Sequence, residues 1–210
     1  MCEYPEAIFF DFDGVIHDTF DFNLKWLNHF VNDNFKPLTN QEFRDLHNGN
    51  SYNLRIKNPK LKDINYVEYR KVTAKARGEF QIEPQIFKEI KNLEEKFQLF
   101  IVSSAGEQGI INYLNNNNII NSFKEILGAE THRSKEVKLQ TVLNKYNLSN
   151  NTLFITDTTG DILEAHKVNI KTLAVDFGFH SKDHLQTAKP HKIISCLSEI
   201  NQIIKELNNS

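Results

Sequence analysis

Six short apolar runs punctuate the chain, at residues 8–10, 99–102, 126–127, 153–155, 172–175 and 193–194. None is interrupted by a polar residue of alternating phase, so each reads as a strand covered on both faces. That is the signature of a parallel sheet. The segments between them have helical period instead. Ile86, Ile90, Leu93 and Phe97 share one face, as do Leu139, Val142, Leu143 and Tyr146, and later Leu197, Ile200, Ile204 and Leu207. Strands joined by helices require right-handed crossovers. The expected fold is therefore α/β, a domain of three layers around a parallel sheet.

One stretch breaks the alternation. Between Gly14 and Pro84 only helical periodicity is visible, with Phe20, Leu24, Leu27 and Val31 on one face. Pro37, Asn40, Gly49, Asn58 and Pro59 mark turns within it. The expected organisation is a core domain of residues 1–16 and 84–210, with a helical module of residues 17–83 inserted after the first strand. Such a module would stand above the carboxyl ends of the strands, where open α/β sheets bind ligands.

The bulk properties narrow the partners. With 210 residues, 40% hydrophobic, the chain is long enough to bury a core without staples. A net charge of -2 gives no basic footprint for nucleic acid. No apolar run reaches the roughly 20 residues of a membrane span, and no signal peptide is visible. Cys2 and Cys196 form neither a disulfide framework nor a zinc spacing. The expected compartment is the cytoplasm.

The chemistry is concentrated where the strands end. The first run passes directly into Asp11-Phe12-Asp13-Gly14. Two carboxylates so close repel one another, and a divalent cation is the usual remedy. A carboxylate can also act as a nucleophile, forming an acyl phosphate. The second run ends in Ser103, Ser104, Ala105 and Gly106, whose hydroxyls and backbone N–H groups at a helix start could cradle an anion. The fourth ends in Thr156, Asp157 and, four residues on, Asp161. Lys135 and Lys138 lie at another helix start. Hard carboxylate ligands suit Mg²⁺, a lysine supplies a point charge for phosphate, and phosphoryl transfer needs little beyond positioning and neutralisation.

This ordered set resembles the haloacid dehalogenase superfamily, in its phosphatase branch with a helical type-one cap. Asp11-Phe12-Asp13-Gly14-Val15 is similar to its first motif, Ser103 to its second, a lysine at a helix start to its third, and Asp157 with Asp161 to its fourth. The spacing suits Lys135 better than Lys138, and both remain open. The resemblance implies a Rossmann-like core, Mg²⁺ and an aspartyl-phosphate intermediate. Asp11 would be the nucleophile and a metal ligand. Asp13 would be the general acid and base, and would offer its backbone carbonyl to the metal. Asp157 would be a ligand; Asp161 would ligate through water or orient Lys135. Ser103 and Ser104 would bind phosphate. In the cap, Gly49 and Ser51 would belong to a turn that reaches the substrate.

Each assignment has a plainer rival. Ser103 could cap the helix that begins near Glu107. Asp161 could charge the first turn of its helix, and Gly49 could mark an ordinary helix–helix turn. Arg44, Arg55, Lys57, Arg70 and Arg77 could grip a charged substrate tail, though most are expected to be solvated. His180 is expected to be structural. The reading that joins the motifs is a Mg²⁺-dependent phosphatase acting on a small phosphorylated metabolite. The alternatives are a sugar phosphomutase of the same build and a non-catalytic module that only binds.

Overall fold

The computed structural model describes residues 5–208, which leaves Cys2 outside the described residues. Its six strands are β1 (Ala7–Phe10), β2 (Gln98–Val102), β3 (Phe123–Leu127), β4 (Leu153–Thr156), β5 (Lys171–Val175) and β6 (Lys192–Ile194). All neighbours are parallel, in the order β3-β2-β1-β4-β5-β6. Each of the six apolar runs lies within one of them. The order reverses direction between β1 and β4, so the crevice of this sheet opens beyond the ends of those two strands.

The three layers follow from the two-residue period of the strands. Ile8 and Phe10 of β1, Leu99 and Ile101 of β2, and Ile155 of β4 face one apolar cluster. Phe9, Phe100, Val102 and Phe154 face another. The first cluster is closed by α5 (Pro84–Glu94), α6 (Glu107–Asn116) and α10 (Ile200–Asn208), and the second by α7 (Lys135–Tyr146) and α8 (Thr159–Lys167). Pro84 occupies the first turn of α5, where its missing N–H costs nothing. Asn147 closes α7 with a left-handed φ of 52°. A short helix α9 (Lys182–Thr187) precedes β6.

Residues between β1 and β2 form α1 (Phe20–Phe30), α2 (Asn40–Asp45), α3 (Ser51–Lys57) and α4 (Tyr66–Arg77) ahead of α5. Their local signals are strong. Thr39 and Glu42 make a reciprocal capping box at α2, and Asn50 and Asn65 cap α3 and α4. These helices pack on an apolar cluster of their own, built from Leu27, Leu38, Phe43, Leu61 and Tyr69. It takes in one residue of the sheet side, Phe179.

The loop after β1 turns sharply, with Gly14 donating its N–H to the carbonyl of His17 at 2.8 Å. His17 is 6% exposed and stacks on Tyr113 at 4.5 Å. Burial pushes its imidazole down to about 4, with help from the nearby Arg77 cation and against the pull of Asp13. Between the ordinary histidine value and about 4, only the unfolded chain takes up this proton. Stability from His17 is therefore complete at neutral pH and declines as pH falls through that window. We predict that His17→Phe gains stability relative to the native chain between pH ~8 and ~4.5, by on the order of 1–3 kcal/mol. Urea unfolding at the two pH values checks this; a difference independent of pH would show the ring is not held neutral.

Candidate active site

Hydrogen-bonded pairing of β1 with β4 sets the site. The backbone N–H of Asp11 continues the ladder to the carbonyl of Ile155 at 2.8 Å, so the loops after the two strands start side by side. Asp11, Asp157 and Asp161 consequently meet, each buried, with carboxylate oxygens within 4.8 Å of one another. Gly14 makes this approach possible. It has a φ of +77°, and a Cβ there would collide with Oδ2 of Asp157.

One lysine is shared among these acids. Nζ of Lys135 lies 2.6 Å from Oδ2 of Asp11 and 2.6 Å from Oδ2 of Asp161. Thr156 also donates its hydroxyl to Oδ2 of Asp161 at 2.7 Å. The two lysines thus have different environments. Nζ of Lys138 donates to the carbonyl of Ser103 and does not pair with an acid. Burial, with Lys135 nearby, pushes Lys138 down to about 8, whereas Asp11 and Asp161 outweigh burial and raise Lys135.

The acids themselves are pulled apart. Burial raises Asp11 to about 7, with Lys135 opposing and Asp161 adding to the rise. Burial also raises Asp157 well above the carboxylate range, reinforced by the Asp11 charge. Asp161 goes the other way, because Lys135 and its hydrogen bonds overcome the burial. Oδ2 of Asp157 accepts the N–H of Phe179 at 2.7 Å, while its Oδ1 is buried with no hydrogen-bond partner. An orphaned carboxylate oxygen beside two further acids is a poor arrangement for protein alone. It suits a hard divalent cation, whose charge would return Asp11 and Asp157 to their ionised forms.

Asp13 stands apart from that cluster. Its Oδ1 accepts from Nη1 of Arg77 at 2.6 Å and from the Thr19 hydroxyl at 2.8 Å, and its Oδ2 from Nη2 of Arg77 at 3.3 Å. Against burial, these partners hold Asp13 below the usual carboxylate range. Arg77 is 4% exposed, also bonds Asn23 at 2.7 Å, and lies over the ring of Phe22. The sequence offers Arg77 among five cations that could grip a substrate tail, most of them expected to be solvated. The signal was there in Tyr69, Thr73 and Arg77, which recur at helical spacing on the buried face of α4.

The second strand brings Ser103 and Ser104 to the same cavity, which Asp11, Asp13 and Lys135 also line. Ser103 does not cap α6; Gly106 holds the N-cap position and has no side-chain cap. The hydroxyl of Ser103 accepts the N–H of Ala105 at 3.1 Å, and the N–H of Glu107 is taken by Glu130 at 2.9 Å. The backbone amides expected to form an open anion cradle are thus partly occupied.

Residues of α1, α3 and α4, with the turn before α3, line the same cavity. Gly49 and Ser51 line it. The carbonyl of His47 accepts the N–H of Gly160 at 2.9 Å. Nδ1 of His180 accepts from Thr159 N–H at 3.1 Å, so the ring proton sits on Nε2 and is donated to the carbonyl of Arg44 at 3.1 Å. Asn50 donates to Glu164 at 3.1 Å, and the same carboxylate oxygen accepts the Ser134 hydroxyl at 2.7 Å.

Gly160 gives a test of this contact. In the first turn of α8, alanine would improve helix propensity by roughly 1 kcal/mol. A Cβ at Gly160, however, would strike the carbonyl of Gly49 and come within 2.7 Å of that of His47. We predict that Gly160→Ala keeps its circular dichroism but lifts residues 47–49 from the loop after β4. Amide exchange at position 160 then accelerates by about tenfold or more; unchanged protection would refute the close approach.

A family model described as haloacid dehalogenase-like hydrolase matches residues 8–175. No curated protein matches the chain. Among solved structures, a haloacid dehalogenase-like hydrolase family protein from Streptococcus pneumoniae is similar at 22% identity and TM-score 0.76, over 94% of this chain and 97% of that one. A candidate phosphoglycolate phosphatase from Lactobacillus plantarum superposes at 16% identity and TM-score 0.82, over 96% of this chain and 100% of that one. CbbY from Rhodobacter sphaeroides, in complex with xylulose-1,5-bisphosphate, does so at 14% identity and TM-score 0.74, over 92% and 95%. At these identities the likeness is one of fold.

Proposed function

The chain belongs to the haloacid dehalogenase-like hydrolases, and from that premise we propose that it is a Mg²⁺-dependent phosphatase acting on a small phosphomonoester through an aspartyl-phosphate on Asp11. The observation that carries this reading is the junction of Asp11, Asp157, Asp161 and Lys135 at the ends of β1 and β4. Phosphatase names among the structural neighbours, and a sugar bisphosphate bound to one of them, agree with it.

Asp11 and Asp157 would hold Mg²⁺ through carboxylate oxygens, with Asp161 in support and Asp13 giving its backbone carbonyl. When bound, the ion would neutralise phosphoryl oxygens and the facing carboxylates. The remaining work falls to the chain. A carboxylate oxygen of Asp11 attacks phosphorus, and the bond from phosphorus to the alcohol oxygen breaks. Asp13 gives that oxygen its proton. Water then attacks the phosphorus of the acyl phosphate, Asp13 accepts the water's proton, and phosphate leaves as Asp11 regains its carboxylate. Lys135 favours the ionised form of Asp11 against burial and two other acids, and Ser103 and Ser104 orient the phosphoryl oxygens.

The Arg77 contact fits the second half of this cycle. A carboxylate gripped by a guanidinium is ready to receive a proton and poorly disposed to donate one. Arg77 lies on α4, so movement of the helical lid would release Asp13 for its first role and restore the grip for its second. The helices over the site would also exclude bulk water during chemistry.

We predict Mg²⁺-dependent release of inorganic phosphate from an aryl phosphate, abolished by chelation and restored by added Mg²⁺. Asp11→Asn is expected to lower turnover by at least about 10³-fold with the fold intact. Native-level turnover in that variant would remove Asp11 as nucleophile. Isomer formation without free phosphate would replace the phosphatase reading with the mutase one.

A further inference from the structure

Beside the cavity over Asp11 lies a larger one with a polar group nothing in the fold satisfies. The first has a volume of about 60 Å³ and the second about 810 Å³. The smaller has room for about five water-sized groups, enough for a phosphoryl group but not for the alcohol esterified to it. The larger space, which shares five lining residues with the first, has room for the remainder of a substrate. Ser51, Arg55, Tyr66, Arg70 and Ser104 line both, so these residues stand where one gives way to the other.

Their charges are unequal in an informative way. Arg70 is committed to Glu130 at 3.2 Å, and Arg77 to Asp13. Arg55 makes no ion pair and no side-chain hydrogen bond among the described residues, and its Nε is buried without a partner. The phenolic oxygen of Tyr66 is likewise buried and unpartnered. Burial raises the Tyr66 phenol, and the cation of Arg55 acts on it in the opposite sense, so the two groups share one electrostatic environment. A guanidinium with a buried, unused N–H beside an unused phenol is costly as a structural element. Together they form a donor pair matched to an oxyanion.

We infer that Arg55 and Tyr66 bind a second anionic group of the substrate, a carboxylate or a further phosphoryl group carried by the alcohol portion. The inference rests on the phosphatase reading and narrows it: the preferred substrates are phosphomonoesters with an anion at the far end, not phosphates of neutral alcohols. Arg55 and Tyr66 do not touch the phosphorus in this arrangement. They set affinity and orientation, which act on KM before kcat.

The test uses two matched series: ω-phosphooxy carboxylates of roughly two to four carbons, and alkyl phosphates of the same lengths. In the native protein, kcat/KM for the best carboxylate is expected to exceed that of its alkyl counterpart by roughly tenfold or more. Arg55→Gln is expected to collapse this ratio through KM, Tyr66→Phe to reduce it in part, and Arg55→Lys to retain some of it. A parallel arm measures binding of both series to Asp11→Asn protein by calorimetry, where no turnover is required. Equal treatment of the two series, or a ratio that survives Arg55→Gln, overturns the inference while leaving the phosphatase reading intact. If neither series is turned over, the phosphatase reading fails, and the calorimetric ratio alone decides whether the anion subsite exists.

Discussion

Three carboxylates and one ammonium group are buried together where β1 and β4 end, and that arrangement governs the rest of the molecule. Removing a charge from water costs several kcal/mol even after relaxation. One lysine facing Asp11 and Asp161 offsets part of this, and among the described residues no cation pairs directly with Asp157. Such a cluster survives only on a scaffold that cannot relax away from it. The sheet supplies this: β1 and β4 are hydrogen-bonded neighbours, each with apolar cover on both faces. Gly14 and Gly178 then lack the Cβ atoms that would push Asp157 out of place. Strain and desolvation are thus held at the site by apolar burial elsewhere, as expected for chemistry at the switch point of a parallel sheet.

Much of this is legible in the residues. A parallel sheet leaves a plain trace because both strand faces are dry, so Phe9 and Phe10 both point into apolar clusters and no polar alternation appears. The acids at the strand ends are equally plain, since nothing about strand stability calls for Asp11 or Asp157 there. Spacing favours Lys135 over Lys138 but does not exclude Lys138. Both lie at the start of one helix and both are buried; only their direction differs, one toward Asp11 and one toward the carbonyl of Ser103. The features that sequence leaves open share that cause. Whether the amide of Glu107 is open depends on Glu130, which is distant in sequence. Whether Arg77 is solvated depends on Asp13, Asn23 and Thr19. Periodicity reports which face of a helix is buried, not which partner a buried charge will find.

The asymmetry among the arginines has a physical basis. Arg70 is about one-third exposed and pairs with a partly exposed Glu130, an interaction worth little in water. Arg77 is enclosed and its guanidinium is met by a carboxylate, an amide and an aromatic face. Removing such a partner leaves an isolated buried charge, which costs far more than the pair contributes. Arg55 is intermediate: enclosed at Nε yet unpaired. Proteins avoid that state unless water or a ligand completes it, and its position beside the phosphoryl-sized cavity selects the ligand.

The same reasoning bears on how α1–α4 stay over the site. Their hydrogen bonds to the sheet side include two accepted by backbone carbonyls, those of His47 and Arg44, from Gly160 and His180. Each exchanges readily for water, so the net gain is only about 0.5–1.5 kcal/mol per bond. The apolar contribution is concentrated in Phe179, whose ring lies 5.3 Å from Phe20 and 5.1 Å from His47. Its backbone N–H is bonded to Asp157 and its carbonyl accepts from Nε of Arg44. A single residue therefore touches the acid cluster with its main chain and the helical layer with its side chain. Any displacement of that layer must pull on Phe179, and through it on the carboxylate whose other oxygen is left for a cation.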